Sequence, residues 1–338
     1  MTARDAAAHA ADAASLTVPD ITLDQLHDDI TALARGYFNT SPTEVHRRGK
    51  ELLLIAQTML ERTQVPRQRE RLYLSAGQAA ALLSAVCFDL GAIPAAVQLA
   101  RTSVLYGQVI EHGPLQAYAS GALAFLAFWD GRPTEAVRLV HAAQQHGGLG
   151  GTANIRLSVI EARAHAHLGN HREAERAIKD AQEQNTASRD DLHDDIGGEF
   201  AFPAERVAMS NATTYLLLRD PTGAEESATQ ALDLLNTRPG DNRPLLISAQ
   251  AGIDMARARL LRRELDGAGE ALEPVFQVPI EWRGAGMLER INAARTQLTH
   301  PDFRDTPHAR GLGERIEDFT AVATSRSLGG SGRLAIES

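Results

Sequence analysis

Gly91-Ala-Ile-Pro-Ala-Ala96 is the first of three segments in which a glycine stands five residues before an alanine; the others are Gly131-Arg-Pro-Thr-Glu-Ala136 and Gly169-Asn-His-Arg-Glu-Ala174. Two later segments keep this frame with arginine at the first position: Arg219-Asp-Pro-Thr-Gly-Ala224 and Arg263-Glu-Leu-Asp-Gly-Ala268. Glycine ends helices in the left-handed conformation, and proline is tolerated in the first turn of a helix. The five segments therefore predict five turns, each of which joins two antiparallel helices.

Small side chains stand at fixed distances on either side of these turns. Seven residues before the frame come Ser84, Ala124, Ala162, Ala212 and Ala256, and twelve residues after it come Ser103, Ala143, Ala181, Ala231 and Val275. Because small residues let two helix backbones approach closely, these positions predict the line of contact within each helix pair.

The composition is that of a soluble helical protein. Hydrophobic residues make up 43% and charged residues 23% of the 338 residues, and apolar residues recur at helical spacing without the alternation of strands. The sequence therefore predicts an all-α fold. The net charge of −9 argues against sequence-independent binding of nucleic acid. The single cysteine, Cys87, excludes a disulfide framework and is expected to be a buried, unreactive thiol.

Targeting signals are absent from the sequence pattern. Arg4 and Asp5 interrupt an N-terminal stretch that lacks the apolar core of a signal peptide. No run of about 18 apolar residues exists, so we expect no contact with a membrane and a cytoplasmic location.

The chain is predicted to contain one folded domain. We expect residues 1–20 to be a disordered N-terminal segment, residues 21–324 to form a single repeat domain, and residues 325–338 to be a flexible tail rich in glycine and serine. The acidic stretch 185–198 is expected to be a solvated loop. The predicted helix pairs are 22–36 with 42–62, 66–90 with 94–111, 114–130 with 133–146, 152–168 with 171–184, 203–219 with 221–236, 244–262 with 265–275, and 281–298 with 309–323.

The register of small residue, glycine, alanine and small residue resembles the tetratricopeptide-repeat signature in a stretched form. The frame starts are 40, 38, 50 and 44 residues apart, against a usual period of about 34. Three runs carry a second resemblance: Phe88-Asp-Leu-Gly91, Phe128-Trp-Asp-Gly-Arg-Pro133 and Gly197-Gly-Glu-Phe-Ala-Phe-Pro203. Through them, residues 22–320 resemble the C-terminal repeat region of actinobacterial Xre-type helix-turn-helix transcriptional regulators.

The resemblance implies a tetratricopeptide-like solenoid of helical hairpins, wound as a right-handed superhelix, in which the first helix of each pair lines a concave inner face. It also implies a regulatory role. In that family a DNA-binding domain precedes the repeats, whereas only about 20 residues precede the first repeat-like helix here. We therefore expect no direct binding of nucleic acid.

The sequence has no residue pattern that predicts a catalytic or metal-binding site. The sequence contains neither a Gly-x-Ser-x-Gly elbow nor a His-Glu-x-x-His pair, and the glycines of 147–151 lie between helices instead of after a strand. His165 and His167 point to different sides of a helix, and Gly169 interrupts the helix between His167 and His171. We therefore assign no catalytic residue, no metal ligand and no cofactor.

The predicted inner face carries the candidate binding residues. Positions thirteen and six residues before each frame start lie about two helical turns apart, hence on one stripe of each first helix. Arginine offers a planar fork that suits carboxylate or phosphate, and aromatic residues can hold an apolar body. The predicted groove consists of Gln78, Tyr118, Phe125, Arg156, Arg163, Arg206, Gln250 and Arg257. In the alternative interpretation, these arginines form structural ion pairs with acidic residues of adjacent repeats, such as Glu161, Glu205 or Asp254.

These features favour a regulatory protein, not an enzyme, that senses an anionic ligand or a peptide in its groove. The alternative is a scaffold that binds another protein and no small ligand, with a homodimer as one form of such an assembly. A biosynthetic enzyme built on a helical-repeat frame is the third hypothesis, and no residue pattern favours it. The ligand, the partner and the pathway do not follow from the sequence.

Overall fold

A computed structural model of the protein describes residues 17–238 and 244–321, and these residues form helices and connections without a β-strand. The all-α prediction is therefore confirmed for this part of the chain. The α-helices are α1 Asp20–Gly36, α2 Pro42–Arg62, α3 Pro66–Asp89, α4 Ile93–Val109, α5 Gly113–Trp129, α6 Pro133–Ala143, α7 Gly151–His167, α8 His171–Glu183, α9 Ala204–Leu217, α10 Pro221–Asn236, α11 Leu245–Leu261, α12 Leu265–Phe276, α13 Ala285–Leu298 and α14 Pro307–Ala321.

Short helical segments lie in three of the connections. They are the 3₁₀ turns Tyr37–Asn39 and Ile280–Trp282 and the π-helical turn Asp191–Ile196. The predicted tail 325–338 and most of the predicted disordered segment 1–20 lie outside the described residues. The end of that segment was assigned wrongly, because α1 already begins at Asp20 and the side chain of Gln68 bonds both backbone polar groups of Val18.

The five predicted turns share one backbone geometry. Gly91, Gly131 and Gly169 have φ values of 77°, 71° and 74°, and the arginines that replace glycine, Arg219 and Arg263, have φ values of 58° and 71°. At each turn the next residue donates its N–H to a carbonyl five positions earlier, as in the bond from Ala92 N to Cys87 O of 2.8 Å. This hydrogen bond defines the Schellman motif, so the frame specifies the end of a helix even where arginine replaces glycine.

The small residues on either side of the turns lie in the contacts within each helix pair. All ten flanking positions are buried, with at most 4% of the surface of any of them exposed. In the pair α3 and α4, two serines also bond across the contact: Ser84 Oγ donates to Ala96 O and Ser103 Oγ to Gly77 O, each at 2.8 Å. The register read from the sequence is confirmed.

The first helices of successive pairs also touch one another. Helix α5 contacts α3 and α7, and α9 and α11 continue this series to α13. Helix α13 in turn contacts α3, and the 3₁₀ turn Tyr37–Asn39 contacts α11. The first helices therefore form a closed circuit of contacts around an interior, where the sequence had suggested an open concave face.

The acidic stretch 185–198 is structured, and its assignment as a solvated loop was wrong. Leu192 and His193 are 0% and 1% exposed. Asp190 accepts hydrogen bonds from the backbone N–H groups of Gly150, Leu192 and His193. Asp194 accepts one from the hydroxyl of Thr152 at 2.6 Å. Its acidic residues thus satisfy buried backbone donors, which composition alone does not reveal.

Helix α3 is the one helix in the described residues whose length and hydropathy would allow it to cross a membrane. Within the fold, 72% of its most apolar 18-residue window is buried against neighbouring helices. That burial is typical of the core helix of a soluble protein, which passes the same test of length and hydropathy.

Candidate functional site

A cavity of about 140 Å³ lies inside the circuit of first helices. Its wall combines aromatic and aliphatic side chains with six ionisable groups. The aromatic residues are Tyr37, Phe38, Phe88, Tyr118, Phe125 and Phe202, and the charged ones are Asp89, Arg156, Arg163, Glu199, Arg206 and Arg290. Four guanidinium groups therefore share this small space with two carboxyl groups.

Six of the eight predicted groove residues line this cavity. They are Tyr118, Phe125, Arg156, Arg163, Arg206 and Gln250. The other two, Gln78 and Arg257, do not reach it. Gln78 is only 1% exposed, because the helices packed on α3 cover it. Arg257 instead lies 3.4 Å from the carboxylate of Asp254, three residues earlier on its own helix.

Arg163 is the least satisfied charged group in the site. It comes from the middle of α7, is 4% exposed and lines the cavity. Among the described residues, none forms a hydrogen bond or an ion pair with its guanidinium, and its Nε is buried without a partner. The rings of Phe125 and Phe128 lie beside the guanidinium, with both centroids 5.8 Å from Cζ. Burial, together with repulsion from Arg290, lowers the pKa of Arg163 to about 9 against the attraction of Asp254, so the group is still charged at neutral pH.

Arg156 lies two turns earlier on α7 and is held by the neighbouring helix α5. Its guanidinium covers the ring of Tyr118 at 4.1 Å, and Nη1 donates to the carbonyl oxygen of Tyr118 at 3.0 Å. Gly121 makes this approach possible, because a Cβ at that position would lie 2.5 Å from Nη1 of Arg156. The absence of a side chain at Gly121 therefore fixes where Arg156 sits.

Arg206 is fixed by an aromatic sandwich and by the segment that precedes α9. Its guanidinium lies between the rings of Phe38 and Phe202, at 4.9 and 4.8 Å. It donates to the carbonyl oxygens of Glu199 and Ala201 and lies 3.4 Å from the carboxylate of Glu199. Arg206 thus has partners of its own.

Arg290, on α13, belongs to the site although the frame analysis did not identify it. It is 5% exposed and reaches the carboxylate of Asp254 at 3.3 Å and the hydroxyl of Thr213 at 3.2 Å. Asp254 itself is fully buried and accepts a hydrogen bond from Thr213 at 2.6 Å. No sequence signal pointed to Arg290, because α13 lies outside the five framed pairs and its place beside α11 and α3 follows from the tertiary contacts.

Two carboxyl groups, Glu199 and Asp89, were also missed. Glu199 follows Gly198, whose φ is +63° and where a Cβ would lie 2.0 Å from the carbonyl oxygen of Ala34. This close approach lets the backbone N–H of Glu199 bond to Ala34 O at 2.9 Å. The carboxylate of Glu199 then accepts from the hydroxyl of Tyr118 at 2.9 Å. The glycine pair of the 197–203 run was the available signal, but only the tertiary contact with α1 explains it.

Asp89 ends α3 and faces the same part of the cavity as Glu199. The hydroxyl of Tyr37 donates to Oδ2 of Asp89 at 2.7 Å. Burial, to which the charge of Glu199 adds, raises the pKa of Asp89 to about 7, while the hydrogen bond from Tyr37 and the charge of Arg206 oppose the rise. Asp89 is therefore close to half protonated at neutral pH.

The alternative interpretation, in which the predicted arginines form structural ion pairs, holds for only some of these arginines. Of the three proposed acidic partners, Asp254 meets a predicted arginine, Arg257. Glu161 instead pairs with His141, His165 and Arg176, and Glu205 pairs with Arg238. Arg156 and Arg163 form no ion pair with any described residue, so the alternative does not account for them.

The remaining candidate groups outside the cavity have structural surroundings. Cys87 is 2% exposed, and burial raises the pKa of its thiol to about 11, so the nucleophilic thiolate is scarce at neutral pH. Within residues 17–238 and 244–321, no three His, Cys, Asp or Glu side chains come together in a group that could hold a metal ion.

Comparison of the sequence with protein-family models and with curated proteins gives no match. The site therefore has to be interpreted from its own geometry.

Proposed function

We propose that this protein is a receptor for a small anionic molecule with an apolar body, bound inside its helical circuit against Arg163. One observation carries the proposal: Arg163 is a charged guanidinium that is 4% exposed, faces a cavity and has no carboxylate in ion-pair contact among the described residues, although Asp254 attracts it at longer range. A buried charge without a partner costs several kcal/mol. An anionic ligand would remove that cost by supplying the missing partner.

The surrounding charges favour the binding of an anion at Arg163 over its binding elsewhere in the cavity. Arg206 has Glu199 at 3.4 Å, and Arg290 has Asp254 at 3.3 Å. Arg156 forms no ion pair either, but its guanidinium donates to Tyr118 O and is attracted by the charge of Glu199. Arg163 adds a positive charge that no carboxylate in contact balances. The site would therefore attract a single negative group to the neighbourhood of Phe125, Arg163 and Arg290, which we call the Arg163 end of the cavity.

The size and lining of the cavity limit the ligand. A volume of about 140 Å³ is close to that of an apolar protein cavity of about 150 Å³ that takes up benzene. Phe88, Phe125 and Ile160 offer an apolar surface beside the Arg163 end. A carboxylate on one ring or on a branched chain fits both limits. Two charge-assisted hydrogen bonds of about 1.5–3 kcal/mol each, plus burial of the apolar body, would reach the roughly 8 kcal/mol of micromolar binding.

We place this site in a tetratricopeptide-like solenoid. The five Schellman turns, the small residues in each pair contact and the contacts between next-but-one helices support that assignment. We further propose a regulatory role in the cytoplasm, on the strength of the resemblance to the repeat region of actinobacterial Xre-type regulators. The ligand would join α5, α7 and α13, and so favour the closed circuit that a partner protein would recognise. Direct binding of nucleic acid is not part of this proposal.

A second candidate function, binding of a partner protein or of a second copy of the chain, is favoured by exposed apolar side chains on α2 and α4. Leu54, Leu105 and Val109 are 64%, 61% and 61% exposed. Tyr106 and Gln57 join the two helices through a hydrogen bond of 3.1 Å. Light scattering over a range of concentrations, compared with a Leu54→Gln, Leu105→Gln variant, tests the homodimer: a dimer that persists in the variant would exclude this surface.

The test of the anion receptor is isothermal titration calorimetry with benzoate as the probe. We expect binding to the wild type, and a loss of at least about 100-fold in affinity in Arg163→Met, because two charge-assisted hydrogen bonds disappear. Arg259→Met is the matched control. Arg259 also lies on a first helix, α11, but it pairs with Glu225 at 3.0 Å and does not line the cavity. Equal affinity for benzoate in wild type and Arg163→Met would refute the proposed function.

A further inference from the structure

The part of the cavity away from Arg163 presents hydrogen-bonding groups of a different kind. We call it the Asp89 end and define it by Tyr37, Asp89, Tyr118 and Glu199, all of which line the cavity. Its carboxyl groups are held by hydroxyl donors: Tyr37 donates to Asp89 at 2.7 Å and Tyr118 to Glu199 at 2.9 Å. The two ends of the cavity thus offer different groups: a guanidinium without an ion-pair partner at one, and carboxyl groups held by hydroxyl donors, beside Arg156 and Arg206, at the other.

The two carboxyl groups are not equally satisfied. Glu199 has a partner for each oxygen, since Oε1 accepts from Tyr118 and Oε2 lies 3.4 Å from Nη1 of Arg206. Asp89 has a donor only on Oδ2, and no described residue donates to its Oδ1. Asp89 is half-buried on the cavity wall. Oδ1 of Asp89 is therefore the acceptor that this end of the cavity leaves to a ligand.

The protonation of Asp89 is consistent with an incompletely satisfied carboxylate. Burial raises its pKa to about 7, and the charged and titratable groups that face it are Tyr37 from the 3₁₀ turn, Glu199 from the segment before α9, and Arg206 from α9. A donor placed on Oδ1 would stabilise the ionised form and lower that pKa again.

We propose that the ligand carries, besides the anionic group held by Arg163, a neutral hydrogen-bond donor that binds Oδ1 of Asp89. This inference rests on the proposed function and narrows it to one class of compounds: hydroxy- or amino-substituted carboxylates whose two polar groups lie on opposite sides of one ring or short branched body. Apolar side chains that line the same cavity, such as Phe88, Phe125 and Ile160, would contact that body.

The test compares benzoate with 3-hydroxybenzoate, 4-hydroxybenzoate and 4-aminobenzoate by calorimetry on the full chain. We expect at least one substituted probe to bind the wild type about 10-fold more tightly than benzoate, the effect of one net hydrogen bond in a buried site. In Asp89→Asn the amide oxygen keeps the hydrogen bond from Tyr37 and the NH₂ group takes the place of Oδ1, so the preference for 4-aminobenzoate, whose amino group acts there as a donor, should fall below about twofold. Asp24→Asn is the matched control, because Asp24 is an exposed carboxylate paired with Arg71, and it should keep the wild-type preference.

A second measurement uses the wild type alone and does not depend on how Asp89→Asn folds. Titrations at pH 7 in buffers of different ionisation enthalpy report the protons exchanged on binding. With the pKa of Asp89 near 7, a donor on Oδ1 that lowers this pKa should release up to about half a proton per ligand. Benzoate, which lacks the donor, should release none.

The two proposals fail in different ways. If benzoate binds in an Arg163-dependent manner, but no substituted probe binds more tightly or releases protons, the ligand class is wrong and the anion receptor stands. A preference that survives in folded Asp89→Asn has the same meaning. If neither benzoate nor any substituted probe binds, the anion receptor itself is refuted, and the ligand class with it.

Discussion

Replacement of Arg163 by methionine should stabilise the protein when no ligand is bound. Arg163 is 4% exposed and has no ion-pair partner in contact among the described residues, so its desolvated charge is compensated only by the longer-range attraction of Asp254. Methionine keeps a flexible apolar chain beside Phe125 and Phe128, the rings that flank the guanidinium. The substitution therefore removes the charge while keeping most of the packing.

The expected magnitude follows from measurements on other buried charges. Exchange of buried ionic groups for apolar residues of similar volume is often neutral or stabilising by about 1–4 kcal/mol. The whole of this range applies here, because Arg163 contacts no carboxylate but would lose the longer-range attraction of Asp254. Scaled to 338 residues, each kcal/mol shifts the melting temperature by roughly 1–2 °C. Arg163→Met should thus melt about 1–8 °C above the wild type.

Differential scanning calorimetry and urea unfolding at pH 7, on protein freed of ligand by unfolding and refolding, check this expectation. The control is Arg257→Met, which removes a cation in contact with the fully buried carboxylate of Asp254 and should lower stability. If Arg163→Met is less stable than the wild type by 2 kcal/mol or more, then Arg163 has a structural role, and the reasoning that assigns it to a ligand is refuted.

Three further predictions concern the frame and the buried charges. Arg290→Met should lower the free energy of unfolding by about 1–3 kcal/mol in urea titrations, because the fully buried Asp254 loses the cation at 3.3 Å but keeps Arg257 at 3.4 Å. Ala136→Leu should lower the free energy of unfolding by about 1–3 kcal/mol, because it overpacks the contact between α5 and α6. Ala142→Leu, on the exposed face of α6, should have the melting temperature of the wild type. Burial acts to raise the pKa of Asp190, but hydrogen bonds from His193 and from backbone N–H groups outweigh it and lower that pKa from 3.8 to about 2. Because the pKa of Asp190 is lower in the folded than in the unfolded state, its stabilisation of roughly 2 kcal/mol is present above about pH 4 and is lost as the pH falls towards 2. In acid titrations, the difference in stability between Asp190→Asn and the wild type should therefore vanish over that range.

The cavity shows which residues of the site can be predicted from helical periodicity alone. The stripe at thirteen and six residues before each turn led to Arg156 and Arg163, since a helix repeats its faces every 3.6 residues. The same rule failed for Arg257, because a side chain of that length reaches a carboxylate on its own helix as easily as the interior. It also had no means to find Arg290, which enters the site from a helix without the frame.

What the sequence by itself determined is local. The turns are fixed by a glycine or arginine at the helix end and by proline at the next helix start. The contact within each pair is fixed by small residues at fixed spacing. Both are local, because backbone conformation and steric fit act over a few neighbouring residues. The tertiary structure decided three other features: the contact of α13 with α3, the packing of Gly198 against α1 and the burial of Asp190. These contacts join residues distant in the chain, and whether a charge such as Arg163 finds a partner depends on all of them together.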